Sequence, residues 1–150
     1  MRVSVRDALH EDMDALASVF LRSSLSNAGD RASLLAHPDV LELSETDVFA
    51  GRTRVAVFDG RIVGFATGLD GDTAVELDAL FVDPDCMRNG IGLALVRDVV
   101  ALARAGGKQR VDVTGNDHAR EFYATAGFVD DGSAETRFGP ARRMHLDVAP

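Results

Sequence analysis

The chain has 150 residues, 46% hydrophobic and 27% charged, which suits one domain around one core; without a run of eighteen apolar residues or an apolar leader in "MRVSVRDALHEDMDAL", no membrane partner and a cytoplasmic location are expected. The formal net charge of −8 argues against nucleic acid, whose phosphates need a basic surface; it fits a cationic small molecule better, and it equally fits a charge that only keeps the protein soluble. A single cysteine, Cys86, excludes an internal disulfide and a cysteine metal cluster, and with Lys108 as the only lysine no GxxxxGK[ST] phosphate loop is present.

Residues 2–6 alternate as a strand. "HEDMDALASVFLRSSL" follows as a helix, with Ala15, Leu16, Val19 and Phe20 on one face and acidic residues in its first turn. "AGDRASLLAHPDV" predicts a second, shorter helix that stops before Pro38, and "LELSETDVFAG" reads as a loop or irregular helix. Two β-rich runs then flank Asp59-Gly60, a tight-turn dipeptide, and "AVELDALFV" adds a third strand, so residues 53–82 form an antiparallel meander. A helix from Gly90 to Ala105 ends at Gly106-Gly107 and leads to the strand "QRVDV". "DHAREFYATA" is a further helix, ended by Gly127, and strands near 128–131 and 142–148 complete the chain. The order is β-α-α-β-β-β-α-β-α-β-β: a single α/β domain over residues 1–150, with a mixed sheet and a central strand-to-helix crossover.

The chemistry concentrates in "DALFVDPDCMRNGIGLALVRDVV". Pro84 stops the third strand, and the chain turns into a helix through Gly90 and Gly92, which carry no side chain where something could approach the backbone. A helix start leaves about four N–H groups without intrahelical partners and carries roughly half a positive charge, the makings of a phosphate site. On the next β-α unit, Asn116, Ala119, Tyr123, Gly127 and Phe128 fall as N-x-x-A-x-x-x-Y-x-x-x-G-F. Asn116 would cap that helix, and Tyr123 lies about two turns on, on the same face.

Together these features resemble the GNAT superfamily of N-acetyltransferases. The likeness runs through the whole element order and is strongest from Glu76 to Phe128. It implies a GNAT-like fold with a splayed mixed sheet and acetyl-CoA as cosubstrate. The family's [Q/R]-x-x-G-x-[G/A] loop, which holds the CoA pyrophosphate through backbone amides, corresponds to Met87, Arg88, Asn89, Gly90, Ile91 and Gly92. Here Met87 replaces the usual glutamine or arginine, Cys86 stands where an aromatic is common, and Arg88 is the nearest charge that could substitute. The resemblance also implies that Leu80, Phe81 and Val82 pair their backbone with the pantetheine arm, and that Asn116 and Tyr123 match a downstream pair whose tyrosine lies near the thioester sulfur.

Acetyl transfer to an amine needs a neutral amine, a polarised carbonyl and a proton for the departing thiolate. The phenol of Tyr123, the only tyrosine, is the expected donor, and the N–H of Phe81 or Val82 the expected polarising group. Glu76 and Asp78 share one strand face, and some protein-acetylating members of the family carry a glutamate where Glu76 stands; Glu76 is one candidate base and a water chain the other. His10, His37, His118 and His145 are scattered without an i,i+4 pair, so no metal is expected. The acceptor is expected to be a small-molecule primary amine. Acetylation of a protein or peptide N-terminus, a non-catalytic acyl-CoA sensor and a homodimer remain open.

Overall fold

The computed structural model describes residues 3–26, 31–32, 35–36, 42–86, 89–115, 117–136 and 139–148. In chain order these form β1 (Val3–Asp7), α1 (Met13–Ser26), α2 (Glu45–Val48), β2 (Arg52–Phe58), β3 (Arg61–Asp70), β4 (Ala74–Val82), α3 (Ile91–Ala105), β5 (Arg110–Gly115), α4 (Asp117–Thr125), β6 (Val129–Thr136) and β7 (Gly139–Asp147). The seven strands lie in one mixed sheet in the order β1-β2-β3-β4-β5-β7-β6. β4 and β5 run parallel, as strands joined through a crossover helix must, while the β1–β2, β5–β7 and β6–β7 pairs are antiparallel. β4 and β5 pair over Ala74–Leu77 and Arg110–Val113 only, although β4 continues to Val82 and β5 to Gly115.

Turn chemistry explains the boundaries. Asp59 and Gly60 both adopt positive φ, 52° and 79°, as the two-residue hairpin between β2 and β3 requires. α3 ends with the Lys108 N–H on the Ala103 carbonyl (2.9 Å) and the Gly107 N–H on Arg104 (3.1 Å), with Gly107 at φ 75°. α4 repeats the device at Gly127, with the Phe128 N–H on the Tyr123 carbonyl (2.9 Å). The predicted second helix falls partly outside the described residues; Arg31, Ala32, Leu35 and Ala36 are helical. The stretch read as a loop or irregular helix contains α2, capped where the Asp47 N–H donates to the Ser44 hydroxyl at 3.4 Å.

The chain divides into two compact units. The first comprises residues 1–67 and 79–95. Its core packs Leu16 and Val19 of α1 against Val48, Val55 and Phe65, with Phe20 edge-on to Phe81 at 4.9 Å. Burying each such side chain contributes about 1.5–3 kcal/mol. Ahead of α1, both carboxylate oxygens of Asp12 accept from Arg6 (2.8 and 3.2 Å), which holds Asp12 below the usual carboxylate range.

The second unit comprises residues 68–78 and 96–150. Val75, Leu77, Val111, Val113 and Met144 are buried on one face of its strands. Register places Glu76 beside Asp112, and Asp112 opposite His145, on the other face. No helix among the described residues is long and apolar enough to cross a membrane.

Candidate active site

The candidate groups of the first unit are backbone groups. The Asp83 N–H donates to the Val63 carbonyl at 2.8 Å, so this residue of the chain leaving β4 points its N–H at β3. Backbone groups alternate along a strand, so Phe81 points the same way, and Leu80 and Val82 direct theirs away from β3. The Phe81 ring is equally committed, lying 5.4 Å from Phe65 and 4.9 Å from Phe20. Of the three residues expected to offer backbone to a ligand, Leu80 and Val82 therefore have the right direction, and Phe81 is turned to its neighbouring strand. The close approach of β3 depends on Gly64, where a Cβ would come within 2.9 Å of the Phe81 carbonyl oxygen and 3.1 Å of Ile91.

Beyond Val82 the chain makes a 3-10 turn, Pro84–Cys86. Met87 and Arg88 lie outside the described residues. Asn89 and Gly90 are exposed, and α3 starts at Ile91, with the Ala94 N–H on the Gly90 carbonyl at 2.9 Å. Gly90 has φ 77°, and a Cβ built there would meet nothing within 4 Å. The helix start thus combines a left-handed glycine, with no described residue within 4 Å of its Cβ position, and the N–H groups of the first turn. This donor set fits a phosphate or pyrophosphate through backbone alone.

The candidate groups of the second unit are side chains. Tyr123 is buried on α4, its ring 5.2 Å from Phe122 and 5.4 Å from Phe128, both edge-on. Gly115, the last residue of β5, makes room for it: a Cβ there would stand 3.1 Å from the tyrosine ring. Burial pushes the phenol up to about 12 from its ordinary 10, because the anion would lose its hydration. Asn116, expected as the cap of α4, lies outside the described residues.

Glu76 is not free. Arg143 of β7 grips it with two parallel bonds, Nη1 to Oε2 at 2.8 Å and Nη2 to Oε1 at 2.6 Å. Arg143 also donates to Thr114 Oγ1 at 3.0 Å and lies 3.6 Å from Asp112. The bond to Glu76, with the surrounding carboxylates, raises the Arg143 pKa. His145 Nδ1 lies 2.8 Å from both oxygens of Asp131. No group of three metal-ligating side chains occurs among the described residues.

Leu80, Phe81, Val82, Asn89, Gly90, Ile91 and Gly92 thus fall in one unit, and Glu76 and Tyr123 in the other. The sequence reading passed over Gly64 and Gly115, although a glycine inside a strand run signals close approach. It also passed over Asp83 and Arg143. Nothing local marks Arg143, because its partner stands 67 positions away.

Comparison with known proteins bears on the family and the fold. A family model described as the acetyltransferase (GNAT) family matches residues 19–128. An uncharacterized N-acetyltransferase of Mycobacterium tuberculosis is 39% identical over 85 residues, 54% of this chain and 54% of that protein, so the match spans about half of that relative's length. A peptidyl-lysine N-acetyltransferase of Salmonella typhimurium is 32% identical over 136 residues, 90% of this chain and 89% of the relative. Among solved structures, an N-acetyltransferase of Rhodopseudomonas palustris superposes with a TM-score of 0.83 at 23% identity, over 98% of this chain and 96% of that one. At that identity the likeness is one of fold.

Proposed function

The chain belongs to the acetyltransferase (GNAT) family, and from that premise we propose that it moves the acetyl group of acetyl-CoA to a primary amine. One observation carries the reading: the segment matched to the family, residues 19–128, contains both the open helix start at Gly90 and the buried tyrosine at position 123.

In this reading the N–H groups at the start of α3 hold the pyrophosphate, and Asn89, Gly90, Ile91 and Gly92 form the described part of its loop. Arg88 is the charge within the loop that supplements them, since Met87 has none. Leu80 and Val82, whose backbone is directed away from β3, pair with the pantetheine arm, and the Val82 N–H polarises the acetyl carbonyl. The amine nitrogen attacks that carbonyl, the carbon–sulfur bond breaks, and sulfur leaves as the thiolate.

Tyr123 serves the leaving sulfur. A phenol pushed up to about 12 keeps its proton at any working pH, which makes it a donor and never a base. It lies roughly 3.5 pH units above a free thiol of about 8.5, so its contribution is a hydrogen bond to the developing thiolate, completed by transfer as that sulfur is itself desolvated. Glu76 is occupied by the two parallel bonds from Arg143. The reading therefore routes the amine proton to water and keeps Glu76 as the anionic half of an ion pair.

A small-molecule alkylamine is the first acceptor reading. The Salmonella typhimurium relative, named for peptidyl-lysine, favours a second: a lysine side chain, chemically the same alkylamine on a protein. A screen of small amines and lysine peptides with acetyl-CoA, read by release of free thiol, tests both. Turnover on one set identifies the acceptor class. CoA binding without turnover on any acceptor would replace the enzyme by an acyl-CoA sensor.

A further inference from the structure

We propose that Asp83 is a positioning residue for the phosphate-binding loop, held between Arg22 of α1 and Arg61 of β3; the inference rests on the acetyl-CoA reading above. Asp83 is fully buried at the exit of β4. Its N–H donates to the Val63 carbonyl at 2.8 Å, its carbonyl accepts the Cys86 N–H at 2.9 Å, and its Oδ1 accepts the Asp85 N–H at 3.0 Å. These three bonds set the direction in which the chain leaves the strand.

The second carboxylate oxygen is placed differently. Oδ2 lies 2.7 Å from Arg22 Nη2 and 3.6 Å from Arg61 Nη1, without an aligned hydrogen bond, and it is the buried polar side-chain atom left so among the described residues. A carboxylate out of water is retained only where opposite charge faces it. Here two arginines reach inward from positions 44% and 55% exposed. A turn made by an aspartate needs only Oδ1; the second oxygen and both arginines exceed that requirement. Arg61 also donates Nη2 to Cys86 Sγ at 3.4 Å, so one guanidinium spans the 3-10 turn from its entrance to its last residue. Gly90 follows four positions later. The cluster thus ties α1 and β3 to the 3-10 turn at the root of the loop, and in the proposal this tie directs the N–H groups that follow from Asn89.

Positioning and simple electrostatics predict opposite signs. Removing the Asp83 charge leaves two arginines uncompensated, which by charge alone would draw phosphates in. If the carboxylate positions the loop, its loss weakens phosphate binding instead. Asp83→Asn keeps an oxygen for the Asp85 N–H and removes the charge. CoA binding is measured by calorimetry and pantetheine, which lacks the pyrophosphate, by NMR titration. The expected result is a CoA dissociation constant raised about tenfold or more, with pantetheine changed less than about twofold, since small misplacements of a binding group are costly. Unchanged or tighter CoA binding, or equal losses for both ligands, would overturn the proposal. Should Asp83→Asn fail to fold, the double variant Arg22→Lys, Arg61→Lys alters only half-exposed side chains, keeps both charges so that charge alone predicts no change, and is read by the same two titrations. A wild-type chain that binds no CoA removes the cofactor reading and the clamp with it; wild-type binding with unchanged variants removes the clamp alone.

Discussion

Gly90 and Gly115 are both required for lack of a side chain, but for opposite reasons. A Cβ at Gly90 would meet nothing within 4 Å, whereas one at Gly115 would stand 3.1 Å from the ring of Tyr123. The first glycine keeps open space before a helix start; the second is already filled by the chain's own phenol. An empty approach with a left-handed backbone is what a site for an outside anion needs. A filled one restricts the pose of the ring that fills it. On the proposed reading Gly90 belongs to cofactor binding and Gly115 to the chemistry, so substitutions at and around them should fail in different ways.

The largest effect is expected at the chemical half. Tyr123→Phe keeps the ring between Phe122 and Phe128 and removes only the hydroxyl. It should lower the single-turnover rate by roughly a hundred- to ten-thousand-fold while leaving acetyl-CoA affinity near wild type. Near-wild-type chemistry in this variant would assign Tyr123 to packing.

The same burial has a pH signature. The folded chain holds the Tyr123 proton more tightly than the unfolded one, so the stability it contributes is complete below pH 10 and is lost as pH rises toward about 12. The shift corresponds to about 3 kcal/mol. Because Tyr123 is the only tyrosine, phenolate absorbance after a rapid pH jump reports this one group. A midpoint near 10 would show that the ring is solvated.

Gly115→Val and Gly90→Ala set the two glycines directly against each other. The valine must push the Tyr123 ring aside, which should destabilise the fold by about 1–3 kcal/mol and slow chemistry more than it weakens CoA binding. The alanine has room but must adopt φ 77°, at a cost of about 1–2 kcal/mol, and should weaken CoA binding more than chemistry at saturation. If both variants lose the same parameter, the division into a binding and a chemical half is wrong. Arg143→Met should have the smallest effect, under about 1 kcal/mol in a chemical melt, because the Arg143–Glu76 pair is about one-third exposed on each side. It also releases Glu76 from its partner, and a faster single-turnover rate that Glu76→Gln then abolishes would show that carboxylate acting as a base.

The local structure around Gly90 was legible in the sequence, because its parts are adjacent: a strand ending before Pro84, two glycines, and a helix beginning at Ile91. Asp59-Gly60, Gly107 and Gly127 likewise announced their turns, and all four adopt the positive φ that those turns need. The seven-stranded mixed sheet followed from the element order and the family likeness. The side-chain half was less legible because it depends on register. Glu76 read as an available carboxylate, and only the pairing of β4, β5 and β7 brings Arg143 onto it. Asp83 was invisible for the same reason, since Arg22 and Arg61 approach it from other elements. The direction of Phe81 needed the Asp83–Val63 bond to be seen.

The most direct test of the account is a thermal melt of the wild-type chain and of Gly90→Glu, each titrated with acetyl-CoA. A glutamate at that position sends a carboxylate into the open space before α3. The account predicts that the wild type gains about 2.7 kcal/mol at a hundred times its dissociation constant, while the folded variant gains nothing. A wild-type melt that does not move at millimolar acetyl-CoA, or a variant that shifts as far as the wild type, would contradict it.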